Sequence, residues 1–268
     1  MLLAIDVGNT QTVIGLYEGQ KLVHMWRVAT NKLHTSDELR VKILPLFASE
    51  KIELSEVDGA VLASVVPKLT LSWREALRCM FKKRPLVVDA QTAGNLFKSK
   101  YNNPGEIGAD RIADAVAAKT LYGSPCVVVD FGTATNIEVI DQDGYFIGGV
   151  IAPGVETSAN ALFAHATKLA AIDLVDPGTA IGGSTEEAIQ AGVVYGEADK
   201  VDGLMNRIFN QLGYKAPVIA TGGLARRVAR VSKVITEVAP ELTLEGLRLI
   251  FEAEQETEED FYISGVKL

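Results

Sequence analysis

The strongest constraint on the fold is a short motif that occurs twice, about half a chain length apart. The residues D-V-G-N-T at 6–10 follow a short apolar run, and the residues D-F-G-T-A at 130–134 follow another. After each motif come two further runs that are typical of β-strands, joined by tight turns at 18–20 and 141–144. Each half therefore opens with three strands, which indicates two copies of one structural unit.

Helical patterns follow the three strands in both halves. Thr35 and Glu38 have the spacing of a capping box, and apolar residues then recur at helical spacing. In the second half this spacing runs from Val155 to Leu169, directly after a Pro-Gly pair. The remainder alternates between strand-like and helical runs. Each half thus predicts the order β-β-β-α-β-α-β-α, an α/β fold, with an additional helical segment over 185–212.

We expect two domains, at residues 1–122 and 123–268. The residues G-S-P at 123–125 interrupt a helical pattern and separate the two halves. The chain has 268 residues, of which 48% are hydrophobic. This is enough apolar material for two cores of ordinary size.

Charge and cysteine usage exclude several classes of protein. A formal charge of −8 disfavours binding to nucleic acids or anionic membranes, which are themselves negatively charged. No apolar run approaches the ~20 residues that span a bilayer, and the first residues lack the basic start of a signal peptide. Cys79 and Cys126 have no metal-site or redox spacing, and we interpret them as buried thiols in a reducing compartment. We therefore predict a cytoplasmic protein with no nucleic-acid or membrane partner.

The repeated D-x-G motif, followed by N-T in the first half and by T-A in the second, has a chemistry that suits a polyphosphate. Its glycine allows close approach of the backbone, and the N–H groups of such a turn can point at phosphate oxygens. The carboxylate would repel a phosphate directly, but it can reach one through a bridging Mg²⁺ ion. A single such loop is more often a structural turn. Two of them at matching places predict loops that clamp a triphosphate, and the sequence contains neither a P-loop nor a Rossmann glycine motif.

Residues 101–111, Y-N-N-P-G-E-I-G-A-D-R, form a second candidate site. The Asn, Pro and Gly residues predict a loop, and a helix begins around Asp110. Asp110 is then either the N-cap of that helix, with Arg111 solvated on the surface, or a general base. In the second case Arg111 supplies a cation for an anionic substrate. The residues alone leave both interpretations open.

Two further segments place small or polar residues where a ligand could bind. The residues Thr221-Gly222-Gly223 follow a strand-like run and let the backbone approach adenine or ribose closely, although such turns are often only structural. Thr185 follows the residues G-G-S at a predicted helix start, and its type and position favour an N-cap.

Taken together, these motifs resemble the type III pantothenate kinases of bacteria, within the superfamily of acetate and sugar kinases, Hsp70 and actin. The resemblance runs through nearly the whole chain and includes D-V-G-N-T, N-P-x-E-I-G-A-D-R, D-F-G-T-A-T, G-G-V-I-A-P-G and T-G-G-L-A. It implies two duplicated actin-like (ribonuclease H-like) domains with a cleft between them. It also implies a homodimeric kinase that transfers the ATP γ-phosphate to the 4′-hydroxyl of pantothenate, the first step of coenzyme A biosynthesis.

The resemblance implies roles for individual residues. Asp110 would take the proton from the substrate hydroxyl, Asp6 would organise Mg²⁺, and Asp130 would hold K⁺ or NH₄⁺. The pantothenate-binding residues would be Tyr101, Gly108, Ala109, Asp110, Arg111 and Thr185. The ATP-binding residues would be Asp6, Val7, Gly8, Asn9, Thr10, Gln11, Thr12, Val13 and Thr133, to which the strand-turn pattern adds Gly222 and Gly223.

Two positions depart from the family pattern. Asn136 follows Thr135 where the family usually has a threonine, which changes one donor of the second loop. Residues 182–184 read G-G-S where the family often has Gly-Lys-Asn, which removes a positive charge before Thr185.

Two alternative functions stay open. One is a family-related regulatory protein without kinase activity, and the other is a kinase of the same fold for another small alcohol. Retention of Asp6, Asp110 and Asp130 argues against a lost active site. The segment 101–111 is the feature that argues for pantothenate over another alcohol.

Overall fold

The computed structural model describes residues 1–166, 169 and 171–263, with side chains described up to residue 256. The chain divides into two compact units. The first comprises Met1–Ala117 together with the C-terminal segment from Leu242, and the second comprises Ala118–Glu241. This division differs at the C-terminus from the domains expected at 1–122 and 123–268.

The first unit contains a five-stranded mixed sheet with the order β3-β2-β1-β4-β5. Strands β1 to β3 form an antiparallel meander, whereas β1, β4 and β5 are parallel. The elements are β1 (Leu2–Val7), β2 (Gln11–Glu18), β3 (Lys21–Ala29), α1 (Ser36–Glu50), β4 (Gly59–Ser64), α2 (Pro67–Phe81), β5 (Leu86–Val87) and the part of α3 (Ala109–Tyr122) up to Ala117.

The second unit repeats this topology, with the strand order β10-β9-β6-β7-β8. Its elements are β6 (Cys126–Phe131), β7 (Ala134–Ile140), β8 (Phe146–Pro153), α4 (Val155–His165), α5 (Thr185–Gln190), a π-helical turn (Ala191–Tyr195), α6 (Gly196–Leu212), β9 (Val218–Thr221), α7 (Ala225–Ala229) and β10 (Glu237–Val238). The final helix is α8 (Leu242–Ile263). Even the irregularities match, because the register shifts at Leu16/Tyr17 in β2 and at Val139/Ile140 in β7. The predicted duplication of an α/β unit is thus confirmed.

Helix α8 belongs to the first unit because it covers one face of the first sheet. Successive side chains of a strand point to opposite faces. The core beneath α1 and α2 takes one face of each strand, including Ile14 and Leu62. The other face carries Gly15 and Gly59, where an added Cβ would lie 2.8 Å from Leu244 and 2.3 Å from the Phe251 ring. Glycine in these strands therefore makes room for α8.

Several helix and strand ends differ from the sequence expectation. Helix α4 ends at His165, although the apolar spacing predicted a helix as far as Leu169. The strand-like run at Val234 lies just before the strand itself, which is Glu237–Val238. The acidic stretch 254–260 forms part of the C-terminal end of α8. The predicted helical segment 185–212 is present but contains a π turn.

Local capping and burial agree better with the sequence. The predicted capping box at Thr35 and Glu38 is confirmed, with both reciprocal contacts formed. Cys126 is buried, and burial raises the pKa of its thiol to about 12. Cys79 is only half-buried, which corrects the prediction of two buried thiols. Within the described residues, no helix combines the length and apolar character that crossing a bilayer requires.

Candidate functional site

The first D-x-G-x-T motif forms a tight connection between β1 and β2. Val7 pairs with Thr12, so residues 8–11 make the turn. The Gly8 N–H donates to the Gln11 carbonyl at 3.0 Å, and a Cβ on Gly8 would lie 2.9 Å from that oxygen. Asn9, Thr10 and Gln11 are exposed, whereas the side chains of Val7 and Thr12 are buried. The turn presents polar residues at the carboxyl end of β1.

The start of α3 lies at the same edge of the first sheet. The Val65 N–H, one residue after β4, donates to the Val7 carbonyl at 3.1 Å. A Cβ on Gly108 would lie 3.5 Å from Val65 Cγ1. The structure therefore brings the residues that precede Asp110 to the carboxyl ends of β1 and β4. In open α/β sheets, ligands bind at this edge of the parallel strands.

Asp110 is the second residue of α3 and not its N-cap. The helix begins at Ala109, and the Gly108 carbonyl accepts the Ile112 N–H at 3.0 Å. Asp110 Oδ1 accepts the N–H of Arg111 at 2.8 Å. Burial raises the pKa of Asp110 above its ordinary value, although the hydrogen bond and charge of Arg111 oppose this shift. A carboxylate with a raised pKa is a stronger proton acceptor than an exposed one.

The residues around Asp110 are held by local contacts. Arg111 is 8% exposed, so its interpretation as a solvated surface residue is wrong. Tyr101 is exposed, and its N–H donates to Ser99 Oγ at 2.9 Å. Asn103 accepts the Gly105 N–H at 3.2 Å and caps a single 3₁₀ turn. The loop that contains N-P-G-E-I-G is thus ordered by its own polar groups.

The second copy of the motif, D-F-G-T-A at 130–134, connects β6 to β7. The Gly132 N–H donates to the Ala134 carbonyl at 3.0 Å. The Thr133 carbonyl accepts the Gly154 N–H at 3.1 Å and the Thr157 hydroxyl at 2.6 Å. Thr133 is exposed, but its backbone is fixed to the start of α4. Asn136, a departure from the family pattern, pairs with Asp130 in the strand ladder.

Asp130 and Gly222 meet at the carboxyl ends of β6 and β9. Asp130 pairs with Thr221 in parallel register, and Gly222 has a φ of +90°. A Cβ on Gly222 would lie 2.3 Å from Asp130 Oδ1 and 2.7 Å from the Phe131 carbonyl oxygen. Both the backbone angle and the space therefore require glycine. Sequence reasoning missed this contact, because it depends on which strands are neighbours in the sheet.

Thr185 is exposed at the first position of α5, but it does not cap the helix. Ser184 is the N-cap, since its Oγ accepts the Glu187 N–H at 3.2 Å. The Gly183 N–H donates to the Glu187 carboxylate at 2.7 Å. The N-cap prediction for Thr185 is therefore wrong. The G-G-S run before it makes the hydrogen bonds at the start of α5.

Oxygen atoms suited to hard cations are present in both motifs. Among the described residues, no three His, Cys, Asp or Glu side chains cluster as a metal-binding group. Mg²⁺ at a phosphate site does not need one, because it usually takes one or two carboxylates and keeps waters and phosphate oxygens as its other ligands. Asp6, half-buried at the end of β1, fits that requirement. Near Gly222, Asp130 Oδ1 and the Phe131 carbonyl oxygen lie close together, and both are the oxygen type that a monovalent cation takes as a ligand.

A sequence model of the family described as type III pantothenate kinase matches residues 2–207. The chain belongs to this family. The type III pantothenate kinase of Roseiflexus sp. is 47% identical over 94% of this chain and 98% of its own length. Those of Moorella thermoacetica and Exiguobacterium sp. are 44% and 43% identical, over 94% and 95% of this chain and 99% and 100% of their own lengths.

Solved structures of other proteins are similar in fold to this member of the pantothenate kinase family. The activator of the 2-hydroxyisocaproyl-CoA dehydratase from Clostridium difficile, with bound ADPNP, has a TM-score of 0.54 at 13% identity, covering 100% of this chain and 98% of its own. The ethanolamine utilization protein EutJ from Carboxydothermus hydrogenoformans has a TM-score of 0.56 at 17% identity, covering 92% and 89%. The duplicated α/β fold is of the actin-like and sugar-kinase type, as predicted.

Proposed function

We propose that this protein transfers the γ-phosphate of ATP to the 4′-hydroxyl of pantothenate, the first step of coenzyme A biosynthesis. The observation that carries the proposal is membership of the family over nearly the whole chain, at 43% to 47% identity with enzymes of that name. The position and raised pKa of Asp110 provide physical support, because they suit a general base for an alcohol.

Asp110 is the proposed catalytic base. Phosphoryl transfer needs in-line positioning and stabilisation of charge on the transferred group, with little other chemistry from the protein. Asp110 would accept the proton of the primary hydroxyl as its oxygen attacks the γ-phosphorus. The residues also proposed to bind pantothenate are Tyr101, Gly108, Ala109, Arg111 and Thr185. Ala109 is buried, so its contact would come from the backbone.

The two turns that carry the repeated D-x-G motif are the proposed phosphate-binding elements. Residues 6–13 would bind ATP in the first unit, with Val7 and Thr12 contributing through the backbone because their side chains are buried. Thr133 would contact phosphate from the second unit. Gly222 and Gly223 would allow close approach of the adenosine part of ATP to the backbone.

Asp6 is proposed to hold Mg²⁺, and Asp130 a monovalent cation, K⁺ or NH₄⁺. When bound, these cations supply positive charge that offsets the negative charge of the phosphates. The chain itself has a formal charge of −8, and its two phosphate turns contain no lysine or arginine. Backbone N–H groups and bound cations would therefore be the main positive partners at these turns.

The reaction is tested by measuring ADP release from ATP and Mg²⁺ with pantothenate as the acceptor. We expect ADP release that depends on pantothenate. Other primary alcohols should neither support ADP release nor compete with pantothenate. Turnover of another alcohol in preference to pantothenate would favour the alternative kinase function. Absence of turnover with every acceptor, together with absence of ATP binding, would favour a regulatory protein.

Replacing Asp130 with asparagine should remove the dependence of turnover on K⁺. Without the carboxylate, the site formed with the Phe131 carbonyl loses its net charge and binds a monovalent cation weakly. We expect the wild type to lose activity when K⁺ is replaced by a large organic cation, and the variant to be slow in either medium. Wild-type turnover that is indifferent to the monovalent cation would contradict the role of Asp130.

Replacing Gly108 with alanine should lower kcat without weakening ATP binding. The added methyl group would lie 2.4 Å from Asp110 Oδ1, so the carboxylate must turn away from its present position. A displacement of this kind costs about 10²-fold in rate when the group is a catalytic base. The measurement is kcat and the Kd of a non-hydrolysable ATP analogue for the variant. Combination with Asp110→Asn should give no further loss, since both changes act on one group.

We also propose that the protein is a cytoplasmic homodimer, as the family resemblance implies. Light scattering coupled to gel filtration measures the mass of the particle directly, against a chain mass of 28.7 kDa. A single-chain mass at working concentration would refute the homodimer.

A further inference from the structure

A buried carboxylate lies behind the β6–β7 turn and takes no part in the reaction described above. Glu197, only 4% exposed, is in the first turn of α6. Thr135 donates its hydroxyl hydrogen to Glu197 Oε1 at 2.6 Å. Lys200 Nζ lies 2.7 Å from Glu197 Oε2 and donates to the Pro153 carbonyl at 2.9 Å. One chain of polar contacts therefore joins α6 to the start of β7 and the end of β8.

Both strand ends in this chain of contacts border the turn that carries Thr133. Thr135 lies two residues after Thr133, at the start of β7. Pro153 pairs with Ala134 across the ladder and precedes Gly154, whose N–H donates to the Thr133 carbonyl at 3.1 Å. The contacts thus hold the backbone of the turn on its β7 side and on its β8 side.

Glu197 depends on these contacts because its carboxylate is buried. A buried carboxylate is costly unless its oxygens are satisfied, and here the Thr135 hydroxyl and the Lys200 ammonium satisfy one oxygen each.

The π turn Ala191–Tyr195 ends two residues before Glu197. Because a π turn contains more residues than an α turn, it alters the direction of the side chains that follow, and such turns recur at functional sites.

We propose that Glu197 is a positioning residue for ATP binding, which acts through Thr135 and Lys200 to fix the turn that carries Thr133. This inference rests on the proposed function, because it needs that turn to contact phosphate. Glu197 does not touch the reacting atoms. Its effect is therefore on the affinity for ATP, with little effect on the binding of pantothenate.

Replacing Glu197 with glutamine tests the proposal. The carboxamide is neutral and has one acceptor oxygen instead of two, so it cannot accept from Thr135 and from Lys200 on separate oxygens as the carboxylate does. We expect the KM for ATP and the Kd of a non-hydrolysable ATP analogue to rise about fivefold to tenfold, with the KM for pantothenate unchanged. A purely structural role would lower the melting temperature and leave both constants as in the wild type.

Asp202→Asn provides a matched control from the same helix. Asp202 is 9% exposed and accepts the Ser232 hydroxyl at 2.6 Å and the Lys233 N–H at 2.9 Å. These hydrogen bonds of Asp202 anchor the segment after α7 and not the β6–β7 turn. We expect a loss of melting temperature similar to that of Glu197→Gln, but an unchanged affinity for the ATP analogue. An equal loss of ATP affinity in both variants would overturn the proposal.

Changes at Thr135 test the same contact if Glu197→Gln does not fold. Thr135→Ser keeps the hydroxyl and should keep wild-type ATP affinity, whereas Thr135→Val loses it and should match Glu197→Gln. Equal affinities for the serine and valine variants would refute the role of this hydrogen bond. If the wild type itself neither binds the ATP analogue nor phosphorylates pantothenate, the proposed function fails. If the wild type does both while Glu197→Gln and Thr135→Val bind ATP normally, only the positioning role fails.

Discussion

Replacing Asp110 with asparagine is expected to lower kcat by about 10²- to 10⁴-fold, the usual contribution of a general base. Asparagine has nearly the same shape and can keep the contact to the Arg111 N–H, but it cannot accept the substrate proton. The affinity for an ATP analogue should stay within about twofold of the wild type, because the fold and the phosphate turns are unchanged. Steady-state rates of ADP release and calorimetric titration of the analogue measure both quantities. Wild-type turnover in this variant would refute the assignment of the base.

Asp37→Asn is the matched control for this variant. Asp37 is also the second residue of a helix, α1, but its side chain is exposed and pairs with Arg40 at 2.9 Å. We expect wild-type turnover from Asp37→Asn. If this change lowered kcat as much as Asp110→Asn, the loss would reflect helix electrostatics and not proton transfer.

Asp110→Asn should also differ from the wild type in its free energy of unfolding. Burial raises the pKa of Asp110 in the folded protein above its value in the unfolded chain, so the folded state binds a proton there more tightly. Ionisation of Asp110 therefore lowers stability as the pH rises through the folded-state pKa. At neutral pH, Asp110→Asn should be at least as stable as the wild type, which would be a gain of stability with a loss of activity.

Replacing Gly246 with alanine is expected to destabilise the first unit by about 3 kcal/mol, the upper range for overpacking a tight contact. The added Cβ would lie 2.0 Å from the Ala113 carbonyl oxygen and 2.5 Å from its carbon. Both atoms belong to the backbone of α3, so α8 must move away as a whole. Urea unfolding followed by tryptophan fluorescence reports on this unit, because Trp26 and Trp73 both lie in it.

Gly203→Ala is the corresponding control, since Gly203 also lies within a helix, α6. A Cβ there would meet no atom within 4 Å, and the position is exposed. Alanine should therefore raise stability by about 0.5–1 kcal/mol, because it has a smaller entropy cost than glycine in a helix. Circular dichroism measures both variants. Equal and small effects at Gly203 and Gly246 would contradict the close packing of α8 on α3.

Local signals allowed most of the fold to be predicted. The apolar runs, the tight turns and the capping box at Thr35 each depend on residues close in the chain, and these elements lie where the sequence placed them. The placement of α8 in the first unit could not be predicted. It depends on space above Gly15 and Gly59, which are distant from α8 in sequence.

The candidate site also has features that the sequence could predict and others that it could not. Asp110 could be selected from its motif, but whether it caps the helix depends on where α3 begins, and Gly108 takes that position. The contact of Asp130 with Gly222 depends on the pairing of β6 with β9, which no local pattern encodes. Glu197 has the i, i+3 spacing to a lysine that usually marks a surface ion pair. Only the structure places it beneath the β6–β7 turn.

The central claim is that this chain phosphorylates pantothenate with Asp110 as the base. The most direct measurement is mass spectrometry of pantothenate after incubation with ATP labelled at the γ-phosphate, using the wild type, Asp110→Asn and Asp37→Asn. We expect one labelled phosphoryl group on the 4′-oxygen of pantothenate with the wild type and Asp37→Asn, and almost none with Asp110→Asn. Unmodified pantothenate after incubation with folded wild-type protein, or equal labelling by all three proteins, would refute this role of Asp110.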